Sequence, residues 1–285
     1  MDINGRTKIV GIIGSPVEHT LSPVMHNAAF EKLGMNWVYM PFLVHTQNLA
    51  KALMGMRALG LVGLNVTLPH KESVIEFLDE IDEYAKKIGA VNTILNKDGK
   101  LYGYNTDCQG FLDILDKHGN FNPQRKNAVL IGAGGAGRSL AVGLAKKGIK
   151  KIIIFDVVKR KAEILSEKIR KEFGCATSSF EIGETRSLFW AISESDILLN
   201  ATPVGMNKNE KLPISPRCLH KNLFVFDVIY RDTGLIKMAR RKKLRCLNGL
   251  GMLVNQAARS FSIWTGKKAP VDIMTKAVLI NYKGA

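Results

Sequence analysis

A complete G-x-G-x-x-G runs through Gly132-Ala133-Gly134-Gly135-Ala136-Gly137 in the middle of the chain. The β-branched and apolar run Val129-Leu130-Ile131 leads into it, and Leu140 to Lys147 follows at helical spacing, which puts the glycines at a strand-to-helix turn. Such a turn opens a nucleotide-binding unit. Gly132 permits the tight bend, Gly134 lets backbone approach a pyrophosphate, and Gly137 lets helix pack on strand, with the helix N-terminus offering its amides to phosphate charge. A second apolar run over 151–155 ends in Asp156, at about the distance expected of a ribose-binding acid. A carboxylate there accepts from a ribose 2′-hydroxyl and repels a 2′-phosphate, so the spacing predicts NAD in preference to NADP. Lys159, Arg160 and Lys161 lie just downstream and are the groups able to hold a phosphate instead.

At 285 residues the chain exceeds one ordinary domain, which predicts two. Cys108, Cys175, Cys218 and Cys246 are widely spaced, which argues against a zinc ribbon or a disulfide framework and fits a reducing cytoplasm. The first residues lack a signal-peptide core, and no apolar run approaches the length of a membrane span. The formal charge of +16 raises nucleic acid as a partner. The basic residues are spread along the chain, however, with local clusters only at 159–161 and 240–243, and no nucleic-acid module accompanies them. Solvated helix faces and attraction for small anions account for the charge.

Before the glycine loop the pattern alternates. Strands are expected at 8–13, 37–44, 63–68, 90–96 and 100–104, helices at 23–33 and 47–59, and one or two helices over 71–85. Asp98-Gly99 reads as a turn between the last two strands. Strands alternating with helices predict an open, largely parallel α/β sheet and a domain of its own. Nucleotide-domain units follow, with later strands at 197–200 and 223–228. The amphipathic stretches 251–264 and 271–281, after the turn Asn248-Gly249-Leu250-Gly251, are expected to return to the first domain. The expected division is 1–109 with 250–285 as an N-terminal substrate domain, and 110–249 as a Rossmann dinucleotide domain.

Polar clusters sit at four strand ends of the first domain: Gly14 to Asn27, Asn65 to Lys71, Gly89 to Thr93 and Gly103 to Asp107. Loops at the carboxyl ends of parallel strands are where α/β sheets bind ligands. Ser22 before Pro23 would serve as an ordinary helix cap. Four clusters of Ser/Thr, Lys, Asn and Asp exceed what capping needs, and together they predict a polar pocket for a small polyhydroxylated anion. His19, His26 and His70 fit no standard ligand spacing, and no metal is expected.

The segments His19-Thr20-Leu21-Ser22-Pro23, Asn65-Val66-Thr67-Leu68-Pro69-His70-Lys71, Gly89-Ala90-Val91-Asn92-Thr93, Asn105-Thr106-Asp107, the glycine loop, Asn200-Ala201-Thr202-Pro203-Val204-Gly205-Met206 and Gly251-Met252-Leu253-Val254-Asn255-Gln256-Ala257 stand in one order along the chain. In these segments, and in that order, the sequence resembles the shikimate and quinate dehydrogenases across both domains. The resemblance implies that Thr20 and Ser22 hold a substrate carboxylate with help from Tyr230, and that Thr67, Asn92 and Gln256 bind ring hydroxyls. It further implies Lys71 and Asp107 as the catalytic pair. Gly132, Ala133, Gly134, Gly135, Ala136, Gly137 and Asp156 would bind the dinucleotide, with Thr202, Gly205, Met206 and Gly251 around the nicotinamide.

Two positions depart from the commonest family form. Asn-Arg-Thr of the NADP-using members is replaced by Asp156-Val157-Val158, which reinforces the expectation of NAD, and Thr20 stands where Ser is usual. The reaction implied is reversible oxidation of shikimate or quinate at C3 by a soluble cytoplasmic monomer or homodimer, with Lys71 managing the hydroxyl proton and Asp107 holding the ammonium. The alternatives are an NADP-preferring biosynthetic shikimate dehydrogenase and a redox-inactive dinucleotide-binding regulator.

Overall fold

The computed structural model describes residues 3–207 and 214–282. It divides into two compact units: the chain up to Thr106 together with the part from Val254 onward, and the chain from Asp107 to Leu253.

The first unit is built on strands β1 (Lys8–Gly14), β2 (Trp37–Leu43), β3 (Gly63–Val66), β4 (Glu80–Ile81), β5 (Thr93–Lys97) and β6 (Lys100–Tyr104), in the order β2-β1-β3-β5-β6-β4. β1 runs parallel to both neighbours, whereas β5 is antiparallel to β3 and to β6. The sheet is therefore mixed rather than largely parallel. Asp98 and Gly99 join β5 to β6 with both residues at positive φ, and a two-residue turn of that kind joins only antiparallel neighbours. Helices α1 (Ser22–Lys32) and α2 (Leu49–Ala58) follow the first two strands. Ile13, Leu53, Met56, Leu64, Val66, Val74, Ile94 and Leu101 share one core.

Residues 71–85 hold two short helical pieces, as expected, but a strand unforeseen in the sequence separates them and the second runs past Ala85. They give a 3-10 turn at Ser73–Phe77, the short edge strand β4, and only the beginning of α3 (Glu83–Ile88). The cause is a pair of aspartates. Asp79 accepts from the Leu101 backbone N–H at 2.7 Å and from Arg57 at 2.6 Å, which holds the segment against β6. Asp82 caps α3 by accepting from the backbone amides of Tyr84 and Ala85, so the helix starts after it.

The second unit runs α4 (Asp107–Lys117), β7 (Asn127–Ile131), α5 (Gly135–Lys146), β8 (Lys151–Asp156), α6 (Lys159–Phe173), β9 (Ala176–Glu181), α7 (Thr185–Ser193), β10 (Ile197–Asn200), β11 (Phe224–Asp227), α8 (Gly234–Arg241) and β12 (Cys246–Leu247). Its sheet is wholly parallel in the order β12-β11-β10-β7-β8-β9. That is the doubly wound order in which β7 stands at the reversal, where such sheets bind nucleotides. Helix α9 (Leu250–Thr265) carries the chain back into the first unit, and α10 (Val271–Tyr282) packs on α1 there.

Candidate active site

The three motif glycines of the loop after β7, Gly132, Gly134 and Gly137, play different parts. Gly132 has φ +98°, and a Cβ on it would lie 2.9 Å from the Ala201 carbonyl. A Cβ on Gly137 would lie 1.9 Å from the Gly132 oxygen. Around Gly134 there is nothing within 4 Å of where a Cβ would stand, and α5 begins there without a side-chain cap. The outer glycines are thus required by packing, and the middle one borders open space next to uncapped helix amides. This fits a pyrophosphate.

Asp156 does something the sequence did not reveal. Its Oδ2 accepts from the Ala133 backbone N–H at 2.7 Å and its Oδ1 from the Val158 N–H at 2.8 Å, so the carboxylate tethers the glycine loop to the end of β8. Val157, Val158, Lys159, Arg160 and Lys161 beyond it are exposed.

Elsewhere in the second unit, Asn200 shapes the loop carrying Thr202, Gly205 and Met206. Its Oδ1 accepts from the Thr202 hydroxyl at 2.7 Å and backbone N–H at 3.1 Å, and its Nδ2 donates to Asp227 at 3.1 Å. Asp227 also accepts from the Thr233 hydroxyl and the Ile229 N–H, and burial pushes its carboxyl above the usual range. Asp227 thereby fixes both this loop and the segment leading to Tyr230, whose ring lies beneath the Arg231 guanidinium. Gly205 has φ +102°. Gly249 abuts the Val228 carbonyl, and Gly251 abuts Ile114 of α4, so neither position has room for a Cβ.

In the first unit, Gly14 lets two of the polar strand ends approach, since a Cβ there would meet Thr67 at 2.3 Å. The Thr20 hydroxyl accepts from the Ser22 backbone N–H at 3.3 Å. Ser22 does not cap α1. It is buried, and its side chain hydrogen-bonds the Tyr39 hydroxyl. Tyr39 in turn donates to Asn65 Oδ1 at 2.8 Å. Asn65 Nδ2 lies 3.0 Å from the Asn92 carbonyl, 3.0 Å from Ser260 Oγ and 3.1 Å from Thr93 Oγ1.

Asn92 is the centre of this network. Its Oδ1 accepts the Thr106 backbone N–H at 2.8 Å, which fixes the orientation of the amide, and its Nδ2 donates to Thr106 Oγ1 at 2.9 Å and to Gln256 Oε1 at 3.3 Å. Of the expected substrate ligands, Asn92 and Gln256 are therefore brought into contact. Lys71 is half-buried in the first unit, its carbonyl accepting from Val91 N–H, and Asp107 is the buried first residue of α4 in the second. Asn65, Tyr39, Thr93, Thr106 and Ser260 were not singled out as site residues from the sequence. The signal for Ser260 was present: it stands one helical turn beyond Gln256.

His70 and His26 have structural surroundings. His70 Nε2–H donates to the Val44 carbonyl at 2.6 Å. His26 is fully buried, stacked on Tyr39 at 4.4 Å between ring centroids, and burial lowers its pKa to about 3.

The chain is similar to known proteins along nearly its whole length. Residues 12–94 match the model of the shikimate dehydrogenase substrate binding domain, 115–229 that of shikimate / quinate 5-dehydrogenase, and 249–279 that of the shikimate 5′-dehydrogenase C-terminal domain. The shikimate dehydrogenase (NADP(+)) of Desulforamulus reducens is 44% identical over 95% of this chain and 94% of its own length. A shikimate 5-dehydrogenase from Listeria monocytogenes, solved with shikimate and NAD, is 38% identical with a TM-score of 0.87, covering 98% of each chain. A quinate dehydrogenase from Corynebacterium glutamicum, solved with NAD, is 31% identical with a TM-score of 0.87, covering 96% of this chain and 99% of its own. Full-length identity at this level, three consecutive family matches and the same two-sheet fold give one conclusion: the chain belongs to the shikimate/quinate dehydrogenase family.

Proposed function

We propose that this protein catalyses the reversible oxidation of shikimate at its C3 hydroxyl with a nicotinamide dinucleotide. The observation that carries the reading is the Asn92–Gln256 hydrogen bond, which joins two motif residues 164 positions apart within one buried polar network. Thr20 and Ser22 hold the substrate carboxylate with Tyr230, and Thr67, Asn92 and Gln256 bind its ring hydroxyls. The bound nicotinamide supplies the hydride acceptor or donor. Lys71 takes the proton of the reacting hydroxyl during oxidation and returns it during reduction, and Asp107 accepts a hydrogen bond from the reacting or the adjacent hydroxyl. Thr202, Gly205, Met206 and Gly251 surround the nicotinamide, and Gly132 to Gly137 hold the pyrophosphate. Lys71→Ala tests the assignment: turnover should fall by about 10²–10⁴-fold with little change in the shikimate KM. Near-normal turnover would remove Lys71 from the role.

NADP is the cofactor this reading favours. The preference for NAD expected from Asp156 finds no support in the name of the Desulforamulus reducens relative, which specifies NADP(+). Both Asp156 oxygens already serve the loop, and Lys159, Arg160 and Lys161 stand exposed at the start of α6 as cations for a 2′-phosphate. Asp156-Val157-Val158 supports the second reading, NAD, because these residues place a carboxylate and no donor side chain where the family's NADP members have Asn-Arg-Thr. The ratio of kcat/KM for NADP to that for NAD decides, and a ratio of at least about ten, or about 1.4 kcal/mol, is expected. A ratio below one establishes the NAD form.

A further inference from the structure

Helix α9 carries a stripe of hydrogen-bonding side chains of which the reaction as read above uses only the first, Gln256. Gln256, Ser260 and Trp264 are spaced i, i+4, i+8 and so lie on one face, one turn apart. Each meets the sheet of the first unit by a hydrogen bond. Gln256 Oε1 accepts from Asn92 Nδ2, Ser260 Oγ lies 2.7 Å from Thr93 Oγ1 and 3.0 Å from Asn65 Nδ2, and Trp264 Nε1 donates to the Ile94 carbonyl at 2.9 Å. Their main partners on the strand side, Asn92, Thr93 and Ile94, are consecutive.

Ser260 is the middle of these three attachments. It is wholly buried, also lies 3.3 Å from Thr106 Oγ1, and reaches back to the Gln256 carbonyl at 3.1 Å. It therefore touches both the backbone of the turn that carries Gln256 and the threonine whose hydroxyl and amide hold Asn92. The apolar contacts on the same face are less exacting. Phe261 and Trp264 pack against His26, and ring packing tolerates small slides that a hydrogen bond does not. Gln256 arrives on a helix far along the chain from Asn92, so its height against the sheet is set by tertiary contacts alone.

We propose that Ser260 is a positioning residue for substrate binding: its hydroxyl sets the register of α9 on the sheet, so that Gln256 meets Asn92 at the ring-hydroxyl end of the site. The inference rests on the reading of Asn92 and Gln256 as shikimate ligands. A binding group is productive only when the residues behind it hold it within a fraction of an ångström. Trp264 Nε1 is the second attachment of the same kind, and Gly63 exists to admit it, since a Cβ there would fall 2.1 Å from that nitrogen.

The test uses the full-length protein and steady-state kinetics with shikimate and the dinucleotide varied separately. Ser260→Ala should raise the shikimate KM about tenfold, the worth of one well-placed hydrogen bond, and leave the dinucleotide KM within about twofold. Adding Ser260→Ala to Gln256→Ala should raise the KM no further, because the residue it positions is already gone. An unchanged shikimate KM in folded Ser260→Ala, or the same increase in both backgrounds, overturns the proposal. Gln256→Ala alone separates the two layers. If it leaves the shikimate KM unchanged, the ligand reading itself fails and the proposal with it; if it raises the KM while Ser260→Ala does not, only the proposal fails. Should Ser260→Ala not fold, Ser260→Cys keeps a side chain of similar shape but with a much weaker donor and acceptor, and is judged by the same two outcomes.

Discussion

His26 illustrates how much of this molecule's chemistry is decided one side chain at a time. It stands in a motif-rich stretch where a histidine invites a catalytic or metal reading, yet its ring is sandwiched among Tyr39, Phe261 and Trp264, and both ring nitrogens lack a hydrogen-bond partner. Burial lowers its pKa from 6.5 to about 3, so it is neutral at neutral pH. The unfolded chain binds a proton at pH values where the folded one does not, so stability is undiminished above 6.5 and is lost as pH falls from there toward 3. Relative to His26→Phe, the wild-type chain should lose about 1.4 kcal/mol per pH unit across that window in urea denaturation. Parallel curves for the two proteins would show that His26 titrates normally. Asp156 carries the opposite lesson, a residue whose type and position were legible but whose partners were not. Its distance from Gly132 suggests a ribose ligand, and the fold adds a second task, since each carboxylate oxygen also accepts a backbone N–H, from Ala133 and from Val158.

Among the elements, the strand-glycine-helix unit of β7 and α5 was fully legible because a run of apolar residues, fixed glycines and a 3.6-residue period all agree. β4 was not, because two residues give no period and its placement depends on Asp79 meeting Leu101 and Arg57. The mixed character of the first sheet was within reach, since Asp98-Gly99 names an antiparallel pair whatever the rest of the sheet does. Within the glycine loop the positions separate into packing and binding. Gly137→Ala should cost about 1–3 kcal/mol in chemical denaturation, because its Cβ would collide with the Gly132 carbonyl. Gly134→Ala should leave the stability near that of the parent and raise the dinucleotide KM, because the methyl enters the open space beside the helix amides. The reverse pattern would mean that the glycines have exchanged roles.

At the scale of the whole chain, the order of polar strand ends announced a substrate site, but the network behind it was invisible in sequence. Asn65, Thr93 and Thr106 stand in three separate polar strand ends and Ser260 in a helix more than 150 residues on, and their mutual bonding appears only when α9 lies on the sheet. Asn92 and Gln256 then meet across 164 positions of the chain, the contact on which the proposed ring-hydroxyl site rests. The central claim is tested most directly by mixing the purified full-length protein with shikimate and NADP, and in parallel with NAD, and following the near-ultraviolet absorbance of the reduced nicotinamide. A protein-dependent rise with shikimate is the predicted result, and no rise with either cofactor would contradict the account.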